Sequence, residues 1–133
     1  MSDCIFCQIV QGKGKSWKVY EDNHSYAFLD IFPVSEYHTL VIPKRHYQDI
    51  FDIPEQELHN LMTAVKKIVM LYNTRLGIRN LQIINSSGRE AQQHVFHIHI
   101  HIVPRKSGDG QDVRWKTHPE LVERFDQLLA KLA

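Results

Sequence analysis

The most constraining feature of the sequence is a strict alternation of histidine and isoleucine from His97 to Ile102. In a β-strand, successive side chains point to opposite faces of the sheet. His97, His99 and His101 would therefore share one face, and the isoleucines between them would point into a core. We predict that residues 95–103 form a strand with one apolar face and one imidazole face.

Three imidazoles on one face indicate a functional site. A lone histidine is ordinarily a surface or core residue, but adjacent imidazoles repel one another when protonated, and each needs a partner. Histidine titrates near pH ~6.5, so at neutral pH one ring can be a free base while its neighbour is protonated. A neutral imidazole can attack phosphorus to form a covalent phospho- or nucleotidyl-histidine, which water then cleaves. Cationic neighbours and backbone N–H groups would stabilise charge on the phosphoryl oxygens.

Length and composition are those of an ordinary globular protein. The chain has 133 residues, of which 43% are apolar and 23% charged, so we expect one domain over residues 1–133. The net charge of +1 gives no bulk attraction for nucleic acid, and we expect pairs such as Lys44-Arg45 and Arg105-Lys106 to be solvated. No apolar run is long enough to span a membrane, and the start lacks a signal pattern. We therefore expect a cytoplasmic protein with no membrane or nucleic-acid partner.

Three segments carry apolar residues at helical spacing. Residues 4–10 suit a short helix ended by Gly12. Residues 54–76 form one long apolar stripe ended by Gly77, with Asp52 and Glu55 as a capping pair. Residues from Thr117 onward form a last helix, which Thr117 and Glu120 would cap.

Short apolar segments rich in aromatic and β-branched residues predict strands at 17–20, 26–31, 39–42, 81–84 and 95–103. Strands come first, one long helix follows, and strands return after it. This order predicts an α+β fold with a mainly antiparallel sheet.

The residues around the histidines resemble those of the histidine triad (HIT) family. Residues 97–103 match its motif His-φ-His-φ-His-φ-φ, where φ is apolar, and the likeness is closest to bacterial-type HIT nucleotide hydrolases. It extends over most of the chain, including Cys4-Ile5-Phe6-Cys7, Ala27-Phe28-Leu29-Asp30-Ile31, His38-Thr39-Leu40-Val41-Ile42-Pro43-Lys44, Val95 to Arg105 and Trp115-Lys116-Thr117-His118.

The resemblance implies a HIT-like fold with a five-stranded, mainly antiparallel sheet, a long central helix, and short N- and C-terminal helices. It also implies a homodimer in which two such sheets join, with a purine nucleotide bound at the face that carries the triad.

By the same resemblance, His99 would be the nucleophile on the α-phosphorus, His101 would bind a phosphate oxygen, and His38 would lie beside the triad. Asp30 would hold the ribose hydroxyls, although a carboxylate after a strand can equally serve a turn. Four apolar residues would form the cleft for the base, or else belong to the core: Phe6, Ile9, Phe28 and Ile31.

The loop before the triad would bind substrate through Asn85, Gln93 and His94, and here the sequence departs from the family. The family usually carries Gly-Gln followed by serine or threonine, where this chain has Gln92, Gln93 and His94. The family's nucleotidyl transferases carry glutamine at the third triad position. His101 therefore favours hydrolysis over transfer.

The pair Cys4-x-x-Cys7 has three interpretations: a redox pair, two ordinary buried thiols, or zinc ligands. We favour zinc, with His46 and His97 as the remaining ligands, a set that resembles a zinc-bearing branch of the family. Four protein ligands would make the metal structural, leaving no water to activate. It would fix the His97 ring, and catalysis would stay with His99.

The favoured function is hydrolysis at the α-phosphate of a nucleoside phosphoramidate, adenylate or dinucleoside polyphosphate through a nucleotidyl-histidine intermediate, without an organic cofactor. The alternative is a nucleotide- or zinc-binding regulatory module with little catalytic activity. A third hypothesis, processing of nucleic-acid ends, lacks the basic extension that it would need.

Overall fold

A computed structural model of the chain describes residues 3–133 and contains one five-stranded sheet. Every strand pairs antiparallel with its neighbours, in the order β1-β2-β3-β5-β4. The strands are β1 (Lys18–Glu21), β2 (Ser25–Leu29), β3 (Thr39–Pro43), β4 (Leu81–Ile84) and β5 (Ile100–Pro104).

Three α-helices accompany the sheet: α1 (Ile5–Val10), α2 (Glu55–Leu76) and α3 (Phe125–Ala130). Short 3-10 turns cover Arg89–Ala91 and Pro119–Arg124. The predicted fold class is confirmed. None of the helices among residues 3–133 combines the length and apolar character needed to cross a bilayer.

Helix α2 covers one face of the sheet. Its buried residues recur every three or four positions, as the predicted stripe requires: Leu61, Ala64, Val65, Ile68 and Tyr72. They belong to the same core cluster as Ile98, Ile100 and Ile102. Gly77 ends the helix with φ +69°, a left-handed conformation that glycine adopts without steric cost.

The opposite face of the sheet carries a second, smaller cluster. Phe6 from α1 packs there with Phe28, Leu40 and Ile42. The rings of Phe6 and His99 meet edge to face with centroids 5.3 Å apart. The isoleucines and the histidines of the alternating segment therefore lie on opposite faces, as predicted.

The predicted strand over 95–103 is too long, because β5 begins only at Ile100. Val41 pairs with Ile100, so two residues further along the ladder Ile98 would meet Pro43. Proline has no N–H to donate, and the ladder stops there. The Ile98 N–H instead donates to the Tyr47 carbonyl oxygen at 2.7 Å. His97 and His99 thus lie just before the paired strand, in a segment held by other contacts.

Both predicted helix caps are wrong. Pro54 occupies the N-cap position of α2 without a side-chain hydrogen bond, and the Asp52 carboxylate accepts from the Gln48 N–H at 2.8 Å. The C-terminal helical segment opens at His118 as a 3-10 turn, again without a side-chain cap. In both places a proline at or next to the first helical position sets the backbone without needing a capping side chain.

Arg105 is not the solvated residue that the sequence suggested. Its side chain is only 14% exposed, and the guanidinium forms a bidentate pair with Asp109, at 2.7 and 2.8 Å. It also donates to Gln82 and to Asp112. These bonds fix the chain directly after β5.

Candidate active site and metal cluster

A cavity of about 730 Å³ opens on the face of the sheet that carries the histidines. Its lining comes from α1 and the segment 14–16 after it, from β2 and the turn that follows, from Leu40 in β3, and from the chain that leads into β5, including His101. Eight of the predicted site residues line it: Phe6, Ile9, Phe28, Asp30, Ile31, His94, His99 and His101. Residues that are far apart in the sequence therefore meet at one site.

A backbone carbonyl fixes the protonation of His99. The Nδ1–H of this ring donates to the His97 carbonyl oxygen at 2.9 Å. The neutral ring then carries its lone pair on Nε2. Burial lowers the pKa of His99, so the ring is neutral at pH 7. His99 is thus an oriented free base in the wall of the cavity.

A backbone amide likewise fixes His38 and, through it, His101. The Val34 N–H donates to His38 Nδ1 at 3.1 Å, so the proton of the neutral ring lies on Nε2. This Nε2–H donates to His101 Nδ1 at 2.9 Å. His101 in turn carries its proton on Nε2, where it is a hydrogen-bond donor. The cavity therefore contains one imidazole base and one imidazole donor in adjacent positions.

His38, His99 and His101 are held in the neutral form. Burial lowers the pKa of His101 to about 4, helped by repulsion from His99 and His38. Burial also lowers the pKa of His38, although the nearby Asp30 carboxylate opposes this. Neither His38 nor His101 is therefore the protonated neighbour expected from the sequence. His101 therefore offers an N–H dipole rather than a cation.

These pKa values predict that acid destabilises the fold. An unfolded histidine has a pKa near ~6.5 and His101 in the fold about 4, so the unfolded chain binds more protons between these values. The contribution of these neutral histidines to the free energy of unfolding is fully present above pH ~6.5. It should fall by up to ~1.4 kcal/mol per pH unit for each such histidine as the pH decreases to ~4. Urea unfolding of metal-free protein at several pH values measures this slope. His101→Gln should flatten it, whereas His24→Gln at an exposed site should not.

Asp30 serves the turn after β2 and the cavity together. One carboxylate oxygen accepts from the Phe32 N–H at 2.8 Å, and the other lies 3.4 Å from His38 Nε2. Asp30 is also one of the residues that line the cavity. The turn interpretation of this residue is confirmed, whereas ribose binding stays a prediction that its place in the cavity wall allows.

Two residues predicted to bind substrate lie outside the cavity lining. The Gln93 side chain is buried, donating to the carbonyl oxygens of Gln48 and Val95 and accepting from the Gly88 N–H. Asn85 donates to the His99 carbonyl oxygen at 3.1 Å. Their side chains hold the backbone on either side of the loop.

Sequence reasoning missed Gln92, which lines the cavity next to His94. The available signal was its position, where the family usually carries glycine. A protonated His94 would lower the pKa of His99, which places the two rings within electrostatic reach.

Four potential metal ligands meet beside the cavity. The sulfur and nitrogen atoms of Cys4, Cys7, His46 and His97 all lie within 4.8 Å of one another. Sulfur-to-nitrogen distances are 3.5 Å for Cys4–His97, 3.6 Å for Cys7–His97 and 3.4 Å for Cys7–His46. Ligands at the usual zinc distances would lie about 3.5 Å apart at a tetrahedral angle. The cluster therefore fits a zinc ion with little rearrangement.

The protonation of His97 also suits a metal ligand. Its Nε2–H donates to the Pro43 carbonyl oxygen at 2.8 Å, which leaves the lone pair on Nδ1, the atom nearest the sulfurs. Burial lowers the pKa of His97 to about 4, so no proton competes at neutral pH. Burial and the neighbouring Cys4 raise the pKa of the metal-free Cys7 thiol to about 11. Metal binding must therefore displace the thiol proton.

Asp30, His38 and His101 also lie close enough together to suggest a metal site. The hydrogen bond from Val34 argues against one, since it places the His38 proton on Nε2. That nitrogen then has no lone pair for a metal.

Fold and site together define a small α+β protein with an imidazole base in a deep cavity and a Cys₂His₂ cluster beside it. The HIT domain profile matches residues 11–108. A HIT-like protein of Methanocaldococcus jannaschii is 46% identical over 84% of this chain and 86% of its own length. The Bacillus subtilis protein hit is 41% identical over 97% of this chain and 93% of its own length. The chain belongs to the HIT family.

Other relatives carry more specific names. The adenosine 5'-monophosphoramidase HNT1 of Saccharomyces cerevisiae is 34% identical over 97% of this chain and 82% of its own length. A crystal structure from Streptococcus mutans superposes with a TM-score of 0.92 at 39% identity, covering 99% of this chain and 84% of that one. A zinc-bound HIT protein from Mycobacterium smegmatis gives a TM-score of 0.79 at 35% identity, covering 98% and 96% of the two chains.

Proposed function

We propose that this protein hydrolyses nucleotides at the α-phosphorus through a covalent intermediate on His99. The observation that carries the proposal is the unprotonated Nε2 of a buried, backbone-oriented imidazole in the wall of a nucleotide-sized cavity. The relationship to yeast enzymes named adenosine 5'-monophosphoramidase supports it.

The reaction would proceed in two displacements. His99 Nε2 attacks the α-phosphorus, and the bond from phosphorus to the nitrogen or oxygen of the leaving group breaks, its electron pair departing with that group. Water then attacks the phosphorus of the nucleotidyl-histidine, releases the nucleoside monophosphate and restores the free imidazole. The His101 N–H would stabilise charge on a phosphoryl oxygen through both steps.

The remaining cavity residues would bind the nucleoside. The apolar wall of Phe6, Ile9, Phe28 and Ile31 suits a purine base. The Asp30 carboxylate can accept from both hydroxyls of a ribose diol. A purine nucleoside 5'-phosphate joined to an amine or a phosphate is thus the proposed substrate class.

Incubation with adenosine 5'-phosphoramidate tests the proposal directly. We expect release of AMP and ammonia, with transient adenylation of the protein. The alternative regulatory module would bind AMP without turnover. Nucleotide binding with no detectable hydrolysis of phosphoramidate, adenylate or dinucleoside polyphosphate would favour that alternative.

We further predict that His94 protonates the leaving group. It lines the cavity next to the nucleophile, and an imidazole can donate a full proton near neutral pH, which serine cannot. The kcat profile should then show a limb that falls as the pH rises, because a deprotonated His94 has no proton to donate. His94→Ser should lose this limb and slow most on substrates with poor leaving groups. An unchanged pH profile and leaving-group dependence in that variant would make His94 a surface residue.

We also propose that the Cys₂His₂ cluster binds structural zinc. Its spacing fits a tetrahedral ion, and a relative is known in a zinc-bound form. The metal would tie α1 to the segment that carries His99. Cysteines that bind a metal must not be oxidised to a disulfide, and the cytoplasm keeps thiols reduced. We therefore propose a cytoplasmic location.

A homodimer formed through the sheet edge is the proposed assembly. β4 is an edge strand, and its Ile83 and Ile84 are both exposed. Exposed apolar edges favour pairing with another chain. Apolar residues of the C-terminal segment, including Trp115 and Leu129, are exposed as well and could be buried in the interface of an assembly. Sedimentation at the mass of a single chain would contradict this proposal.

A further inference from the structure

Gln92 holds a backbone conformation that glutamine rarely adopts. Its φ of 72° and ψ of 29° lie in the left-handed region, which raises the energy of any residue with a Cβ. The loop enforces this conformation. The Gln92 N–H donates to the Arg89 carbonyl oxygen at 3.0 Å, and the buried Gln93 amide anchors the next residue to Gly88 and Gln48. Strain held in this way at a cavity wall points to a role for the side chain.

The Gln92 side chain is available to a ligand. It is exposed and lines the cavity, and it forms no hydrogen bond to any residue between 3 and 133. The neighbouring Gln93 is the opposite case, because its amide is buried and bonded to three backbone groups. Of two adjacent glutamines, one holds the loop with its side chain and the other is an exposed residue of the cavity wall.

The polarity of the cavity indicates which part of a substrate would meet Gln92. The wall around Phe6 and Phe28 is apolar and suits the base, and Asp30 is the only acidic residue among those that line the cavity. Gln92 and His94 belong to the loop that leads into the nucleophile, and His94 is in electrostatic reach of His99. Both carry N–H groups that can donate hydrogen bonds, in the cavity that contains the proposed nucleophile.

Resting on the proposed hydrolysis, we propose that Gln92 is a specificity-determining residue that selects, together with His94, leaving groups with an anionic oxygen. That oxygen can belong to a carboxylate on the leaving amine or to a further phosphate. The amide N–H of Gln92 donates to it, and no carboxylate on this loop faces the cavity to repel it.

Matched substrates test the selection. The adenosine 5'-phosphoramidates of glycine and of glycinamide differ in charge but hardly in size. We expect the wild type to prefer the glycine compound in kcat/KM. Gln92→Ala should reduce this preference roughly tenfold through loss of a charge-assisted hydrogen bond, and Gln92→Glu should reverse it. The same variants are then assayed with diadenosine triphosphate, whose anionic oxygen belongs to a phosphate. The substrate that loses more kcat/KM in Gln92→Ala shows whether recognition of a carboxylate or of a phosphate depends more on Gln92.

Two further variants separate selection from a structural role. Glu90→Gln changes an exposed residue of the same turn that does not line the cavity, and should keep the wild-type preference. Gln92→Gly relieves the left-handed strain and should raise Tm by about 2 to 4 °C while it loses the preference. A structural glutamine would instead lower stability when it is removed.

If the ratio of kcat/KM for the glycine and glycinamide compounds is the same in the wild type, Gln92→Ala and Gln92→Glu, this inference is overturned. The hydrolase proposal would remain intact. If the wild type turns over none of the three substrates, the proposed function fails, and the inference fails with it.

Discussion

His99→Ala should reduce turnover by at least about ten-thousandfold, because it removes the only group that we assign to covalent catalysis. Nucleotide binding should persist, since the apolar wall and Asp30 remain. The fold should also persist, because the removed ring faces the cavity rather than the core beneath α2. The expected kinetic signature is a large loss in kcat with a small change in KM.

The intermediate gives a second readout for the same assignment. The P–N bond of a nucleotidyl-histidine hydrolyses in acid but survives base, so the reaction is stopped by rapid alkaline denaturation. With a substrate labelled at the α-phosphorus, the wild type should then carry label on the protein, and His99→Ala should carry none. His24→Ala is the matched control, since that imidazole is 56% exposed and does not line the cavity. Retention of more than about a tenth of wild-type activity by His99→Ala, about 1.4 kcal/mol of barrier, would refute the nucleophile.

Cys4→Ser should release the metal and lower stability by about 3 kcal/mol when zinc is present at about a hundred times its Kd. For a chain of this size that is roughly 10 °C in Tm. The substitution is selective, because Cys4 also occupies the N-cap position of α1, where its sulfur accepts from the Cys7 N–H. Serine is a favoured N-cap residue, so the cap survives and the thiolate alone is lost.

Elemental analysis of protein purified without chelator should find about one zinc per chain in the wild type and none in Cys4→Ser. His46→Ala should behave like Cys4→Ser, whereas His59→Ala, which changes an exposed histidine of α2, should keep both metal and Tm. A metal-free wild type whose melting is unaffected by zinc would end the zinc proposal. The assignment of His99 would stand.

The parts of the fold that follow from side-chain periodicity could be predicted from the sequence. Period-two alternation placed the histidines and isoleucines on opposite faces, and the spacing from Leu61 to Tyr72 identified the buried face of α2. Both patterns depend only on which side chains are apolar and become buried on folding. They can therefore be recognised without knowledge of tertiary contacts.

The predictions that were wrong concerned features that backbone hydrogen-bonding groups determine. The start of β5 is set by Pro43 on a neighbouring strand, and Asp52 was drawn away from its expected cap by the Gln48 N–H. The protonation of the site was equally hidden, since the groups that fix it are the N–H of Val34 and the carbonyl oxygens of Pro43 and His97. A sequence shows neither which backbone groups are free nor what they face.

The control of the histidine rings by main-chain atoms has an evolutionary consequence. Main-chain groups are the same in every residue except proline, so their pattern of donors and acceptors is inherited with the path of the chain. The walls of the cavity and the loop at Gln92 can then accumulate substitutions that admit other bases or leaving groups, while the proton on each ring keeps its place. After gene duplication, a protein with such a scaffold can evolve to accept other substrates while the protonation of its catalytic histidines stays the same.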